Sequence, residues 1–218
     1  MRVHDWLLTP ARAAIHVPTM TAVVADLHLG YDRLRRRGGD AVPVRRVADE
    51  HAPLRLELAR QSVSRLVIAG DLFEDGRYQR DEVLRELVAW LEANAIELIA
   101  VVPGNHDRLG ERVEMDGWTM PLAPGGVALG GWHVVHGDGI LPAGRVVQGH
   151  EHPWLRWRRG VEGPCYLVSD ERIVLPALSA DAAGGNVWGD PRWRGYRACA
   201  IAGERVLDFG DVSGKEGR

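Results

Sequence analysis

Residues 21–30 read Thr21-Ala22-Val23-Val24-Ala25-Asp26-Leu27-His28-Leu29-Gly30, and the order of residue types there decides the fold class. A short run of small and β-branched apolar residues predicts a strand over Thr21–Ala25. It ends abruptly in a carboxylate and an imidazole, and the glycine behind them lets the backbone turn sharply. The same order recurs along the chain. Leu66–Ala69 runs into Gly70-Asp71, and Leu98–Val102 into Pro103-Gly104-Asn105-His106-Asp107. Val134-Val135 leads into His136-Gly137-Asp138, and Val146–Gln148 into Gly149-His150-Glu151-His152. Carboxyl ends of strands line one edge of a sheet, where loops converge on a crevice.

Around these runs the pattern is α/β first and strand-rich later. Strands are predicted at Arg65–Ala69 and Ile96–Val102. Val44–Gln61 has helical periodicity interrupted by Pro53, which predicts a kink or two shorter helices. Asp81–Ala93 is a cleaner amphipathic helix, with Val83, Leu84, Leu87, Val88 and Leu91 on one face. Short strands follow at Trp132–Val135, Val146–Gln148, Tyr166–Val168, Arg172–Leu175, Arg197–Ile201 and Arg205–Leu207, separated by Gly, Pro and Asp. This order predicts two sheets packed face to face with helices outside. With 218 residues, no repeat and no long linker, a single domain over 1–218 is expected.

Composition limits the setting. Hydrophobic residues make up 45%, enough to fill a core without disulfide staples. Lys+Arg 27 against Asp+Glu 30 leaves a net charge of −3, so bulk charge announces neither nucleic acid nor membrane. Two cysteines, Cys165 and Cys199, are too few for a disulfide framework, although spacing leaves a pairing open. Met1–Pro10 carries Asp5 and no long apolar stretch, unlike a signal peptide, and no run approaches membrane-spanning length. A cytoplasmic protein with no membrane partner is expected.

The polar residues at the strand ends point to metal. Histidine combined with carboxylate and amide oxygen suits Mn, Fe, Zn or Ni better than Ca or Mg alone, and no Cys neighbours them. Asp26/His28 and His150/His152 would each share a side if their segments stay extended. The seven donors Asp26, His28, Asp71, Asn105, His136, His150 and His152 exceed what one tetrahedral ion needs, so two divalent transition-metal ions are expected, manganese first. His133 lies three before His136, on the other side of its strand, and His4, His16 and His51 fall outside the pattern.

The segments DLHLG, GDLFEDG, GNHD, HGD and GHEH, in this order over residues 21 to 153, resemble the motif series of the calcineurin-like metallophosphoesterases. The resemblance implies a four-layer αββα sandwich. It implies that Asp26, His28, Asp71 and His152 hold one ion and Asp71, Asn105, His136 and His150 the other, with Asp71 bridging. His106 would face the leaving group as a catalytic histidine, with Asp107 as its orienting partner. The implied activity is a two-metal phosphoesterase in which an acidified water attacks phosphorus. The Arg-rich stretch after DLHLG, the short interval from His136 to His150 and the Pro-Cys…Val-Leu-Pro-Ala-Leu…Gly-Gly tail resemble a compact branch, the ligase-associated DNA damage response endonucleases. Residues 179–186 follow that branch loosely.

Each motif alone has a duller reading: Gly-Asp is commonplace, and Asn and Asp favour turns. Only their conjunction points to catalysis. Three arginine clusters remain, at Arg33/Arg35/Arg36/Arg37, at Arg156/Arg158/Arg159 beside Trp154 and Trp157, and at Arg192/Arg194/Arg197 beside Trp193 and Tyr196. Guanidinium forks and aromatic faces suit a nucleic-acid groove, and equally suit a solvated surface. Arg156, Arg158 and Arg159 adjoin the last metal motif and are the expected substrate-binding group. The expected substrate is a phosphodiester, DNA or RNA among them. The alternatives are a small-molecule phosphatase, a cyclic-nucleotide phosphodiesterase, or a scaffold without catalysis, which the intact donor set argues against.

Overall fold

The computed structural model describes residues 1–75, 80–157 and 160–213. Its first sheet has β1 (Arg2–Val3), β2 (Trp6–Leu8), β3 (Ala14–His16), β4 (Thr21–Val24), β5 (Arg65–Ala69) and β6 (Glu97–Val102), in spatial order β1-β2-β3-β4-β5-β6. An antiparallel meander thus leads into three parallel strands, β4, β5 and β6. After a small hairpin of β7 (Glu114–Met115) and β8 (Trp118–Thr119) comes the second sheet. It holds β9 (Val127–Leu129), β10 (Trp132–Val135), β11 (Arg145–Gln148), β12 (Pro153–Arg156), β13 (Glu162–Val168), β14 (Arg172–Val174), β15 (Gly185–Asn186), β16 (Arg197–Ala202) and β17 (Arg205–Asp211). Within it β10 runs parallel to β11, and β11 to β14.

Strand periodicity explains the layers. Val23, Ala25, Val67, Ala69 and Ala100 point to the second sheet and meet Trp132, Val134, Val147, Tyr166 and Ile173. The alternate residues Ala22, Val24, Leu66 and Ile68 point the other way, into a core closed by helices. A slip of one residue would exchange the two cores, so register is specified twice over. The helices are α1 (Tyr31–Arg37), α2 (Val47–Glu50), α3 (Ala52–Arg60) and α4 (Arg80–Ala93). From them Val47, Leu54, Leu58, Val83, Leu84, Leu87 and Leu91 fill that core, with Val88 at its margin. The outer face of the second sheet is covered by Val187, Trp193 and Val212, around a 3-10 turn at Pro191–Trp193. The sandwich is therefore as the motifs implied, with its fourth layer built from irregular chain.

Several elements carried no signal. Strands β1, β2, β3, β7, β8 and β15 have two or three residues, too few for a period to register. Strand β13 begins at Glu162, four residues before the expected start, and runs through Gly163 and Pro164, where it pairs with β12 before turning to β14 and β16. The cysteines cannot pair, because Cys165 faces the outer core and Cys199 the core between the sheets. Both are free thiols, and burial pushes the Cys199 pKa up to about 11. Among the described residues no helix is long and apolar enough to cross a membrane.

The expected interruption near Pro53 falls at His51, which ends α2 and caps α3. Its ring is 2% exposed, stands edge-on to Trp90 at 5.8 Å, and leaves both nitrogens without a hydrogen bond. Burial therefore lowers its pKa to about 4. A folded-state pKa below the unfolded value makes protonation oppose folding. The stability held above pH 6.5 is then lost as pH falls toward 4, by roughly 3 kcal/mol. Urea unfolding of the parent and of His51→Leu at pH 7 and pH 4.5 is expected to show the parent losing more, by roughly 2 kcal/mol over that interval. Equal losses would show that the ring is protonated in the fold.

Candidate metal centre

Parallel pairing brings the expected donors to one edge. Asp26 follows β4, Asp71 follows β5, and Asn105 and His106 follow β6; His136 follows β10, and His150 and His152 follow β11. Beyond the strands the ladder continues in single bonds. The Asp26 N–H donates to Gly70 O at 3.0 Å, and the His28 N–H to Asp71 O at 2.9 Å.

The backbone there is not extended, contrary to the expectation for the two alternating pairs. Asp26 has φ 55°, His28 46°, Asp71 42°, His150 68° and His152 42°. Left-handed backbone at a residue with a Cβ costs on the order of 1–3 kcal/mol, so it persists only where the surroundings impose it. Here five of the seven donors carry it. Glycines make the crowding feasible. A Cβ on Gly70 would lie 1.8 Å from His136 Nδ1, and one on Gly104 2.2 Å from Asp71 Oδ1.

The expected donors form two clusters, one of Asp26, His28 and His152 and the other of Asp71, His136 and His150, and a third grouping joins His28 to Glu74 and His106, the ligand atoms of each lying within 4.8 Å of one another. Asn105 Oδ1 joins the second cluster at 3.1 Å from His136 Nε2. Asp26 touches both, with Oδ2 3.5 Å from His152 Nε2 and Oδ1 3.5 Å from His136 Nδ1. Asp71 Oδ2 lies 3.5 Å from His136 Nε2, while its Oδ1 accepts the His106 N–H at 2.9 Å. By these contacts Asp71 belongs to the second cluster.

The partners of the far ring nitrogens favour one tautomer of each ring. His28 Nδ1 lies 2.8 Å from Glu74 Oε2 and His152 Nδ1 3.3 Å from Ala183 O, acceptors that favour a proton on each Nδ1. With the protons on Nδ1 both Nε2 atoms would be lone pairs, and they face each other at 3.4 Å. His136 Nδ1 lies 3.4 Å from Ala69 O, which leaves its Nε2 as a lone pair 3.2 Å from His150 Nδ1. Asp26 Oδ1 is buried without a hydrogen bond. Lone pairs and buried carboxylates converging without protons between them repel, and a cation among them removes that cost. Nitrogen and carboxylate donors of this kind fit borderline divalent ions.

Glu74 stands inside GDLFEDG, and nothing but that position marks it in the sequence. Its carboxylate meets His28, which holds its pKa below the usual range against burial, and its carbonyl lies 3.1 Å from His106 Nδ1. That corrects the part expected of Asp107. The Asp107 carboxylate is fully buried and accepts backbone N–H groups, from Phe73 at 2.9 Å and Gly104 at 2.7 Å. Burial pushes its pKa up, while those backbone donors pull it back. It pins the Asn105-His106 turn, and Glu74 is what meets the His106 ring. His106 lines a cavity of about 330 Å³ with Leu34, Glu74, Asp75, Asn105 and Arg108. A larger one, about 750 Å³, lies at the opposite edge between His4 and the turn 169–171, away from every donor cluster.

The arginines are less concerted than expected. Arg33 is buried against Glu86, and Arg35 pairs with Asp40. Arg156 is exposed, 3.7 Å from Glu162, and Arg158 and Arg159 lie outside the described residues. Arg192 is held by Asp190 and Glu151, and Arg197 by Asp208. His133 is exposed on the far side of β10, as expected.

A family model described as calcineurin-like phosphoesterase matches residues 20–164. A probable cyclic nucleotide phosphodiesterase of Synechococcus sp. is 30% identical over 169 residues, which cover 75% of this chain and 62% of that protein. The chain thus spans less than two thirds of the length of that relative. The crystal structure of Pseudomonas putida nuclease MPE shares the fold with a TM-score of 0.72 at 20% identity, covering 94% of each chain.

Proposed function

The chain belongs to the calcineurin-like phosphoesterases, and on that premise we propose that it hydrolyses phosphodiesters with two divalent cations held at the seven-donor centre. The observation that carries the reading is the pair of imidazole Nε2 atoms facing each other across 3.4 Å, between buried carboxylates. Asp26, His28, Asp71 and His152 would hold one cation, and Asp71, Asn105, His136 and His150 the other, with manganese the first metal to test. When bound, such ions supply Lewis-acid polarisation of phosphoryl oxygens and acidify water.

The chain's own residues do the rest. With Nδ1 committed to the Glu74 carbonyl, His106 keeps Nε2 for the substrate, where a protonated ring donates to the departing oxygen. Its backbone N–H holds Asp71 in place meanwhile. A diester fits better than a monoester because the cavity beside His106 extends past the donors to Arg108, giving room for a second substituent. Nucleic acid is the favoured diester. Exposed Arg156 and Trp157 lie along β12 and just beyond it, directly after His152, and an ion pair as exposed as Arg156–Glu162 yields readily to a phosphate. The cyclic or small diester named for the Synechococcus relative is the second reading.

Elemental analysis after reloading with Mn is expected to give two ions per chain; saturation at one, or none, overturns the two-metal reading. Turnover of bis(p-nitrophenyl) phosphate, p-nitrophenyl phosphate and oligonucleotides under the same loading then ranks the substrates. Binding to oligonucleotides should weaken steeply as salt rises, through counterion release. Oligonucleotide binding that ignores salt, or is absent, transfers the assignment to small diesters.

A further inference from the structure

We propose that Arg12, a residue in none of the motifs, is a positioning residue for the metal centre, acting through the strap 177–183. The inference rests on the metal reading above.

The strap touches the centre twice. The Leu178 and Ser179 N–H groups donate to the carbonyls of Ala25 and Asp26 at 2.7 and 3.1 Å, extending the pairing of β4 past its end. Ser179 thereby holds the carbonyl of Asp26, a residue in left-handed backbone whose carboxylate reaches both donor clusters. At the other end Ala183 O lies 3.3 Å from His152 Nδ1, an acceptor that orients the ring from behind and favours the proton on that nitrogen. A ligand tautomer set from behind in this way governs affinity for the ion.

Arg12 is what holds the strap. It sits at φ 60° in the turn between β2 and β3, and its Nη1 is 3.0 Å from Ala177 O, 2.9 Å from Ser179 O and 3.4 Å from Leu178 O. Among the described residues no carboxylate pairs with it, so its charge is spent on three carbonyls of one segment. The turn is itself anchored, since buried Tyr166 donates from its hydroxyl to Thr9 O at 2.8 Å and Ala13 O at 3.1 Å. The chain therefore builds a rigid mount, places a cation on it and aims that cation at the strap. A second, more exposed anchor joins Arg45 to Asp181.

Because one nitrogen makes all three contacts, the site needs a point donor and not a fork. Lysine supplies a compact ammonium with three protons, and methionine fills the space without charge. Arg12→Met is expected to weaken Mn binding, measured by titration calorimetry, by about 10–100-fold. Amide exchange of Leu178 and Ser179 should quicken in the same variant. Arg12→Lys should recover Mn affinity to within about threefold of the parent and restore exchange protection. Asp181→Asn, which leaves the buried turn alone, should weaken binding in the same direction by less, and it decides the matter if Arg12→Met does not fold. Parent-like Mn affinity in Arg12→Met or in Asp181→Asn, or a lysine variant no better than methionine, overturns the proposal. A parent protein that binds no Mn overturns the metal reading instead.

Discussion

Asp71→Asn is expected to lower turnover of bis(p-nitrophenyl) phosphate by on the order of 10³-fold or more at saturating Mn, the several kcal/mol of charge stabilisation that a dinuclear site supplies. Asparagine has nearly the shape of aspartate, so the fold should survive and the loss should report charge. Position makes this residue expensive to alter. Asp71 is 2% exposed, its backbone is left-handed, and one oxygen takes the His106 N–H while the other faces His136 Nε2 at 3.5 Å. An amide there can present a nitrogen to either neighbour, which spoils the second donor cluster and releases the turn carrying His106. Bound metal should fall below two per chain. Turnover within about tenfold of the parent would show that Asp71 is not shared between two ions.

His106→Asn should behave in the opposite manner, keeping metal content while slowing the reaction. Its Nδ1 faces the Glu74 carbonyl at 3.1 Å, and its ring stands edge-on to His28 at 5.2 Å, beside the seven donors and not one of them. A general acid contributes about 10²–10⁴-fold where the departing oxygen needs a proton and little where it does not. The loss should thus be steep for an alkyl or nucleoside leaving group and shallow for p-nitrophenolate. Measuring both substrates with the same preparation separates proton donation from damage to the centre. A variant that lost metal, or lost both activities equally, would make His106 a ligand or a structural residue.

The two results bear on different layers of the centre, and the structure explains why both layers were unequally legible. Thr21–Ala25, Arg65–Ala69 and Ile96–Val102 announce themselves because a strand buried on both faces is a continuous apolar run, and each stops at a polar residue on the same sheet edge. Local chemistry and position in the element coincide there, so Asp26, His28, Asp71, Asn105, His136, His150 and His152 can be named from residue types alone. α4 is legible for the same reason, its period matching one buried face.

What tertiary structure alone decided lies in contacts between residues far apart in the chain. Left-handed backbone at Asp26 and His28 replaces the extended segments that alternation suggested, because the bonds to Gly70 and Asp71 across the sheet impose it. The His106 ring meets the Glu74 carbonyl while the Asp107 carboxylate accepts backbone N–H groups, an outcome of how the turns after β5 and β6 pack. Residue type fixes neither. The cysteines were left open by spacing and are separated by strand alternation onto opposite faces of one sheet. Arg12 and Ala183 have no local mark, for a guanidinium in a turn and a backbone carbonyl look alike in any sequence. Chain order thus determined which donors this protein possesses and that they share an edge, because strand pattern is a short-range property. Their tautomers, and the residues that hold them from behind, follow from long-range packing, where a hydrogen bond joins positions more than a hundred residues apart.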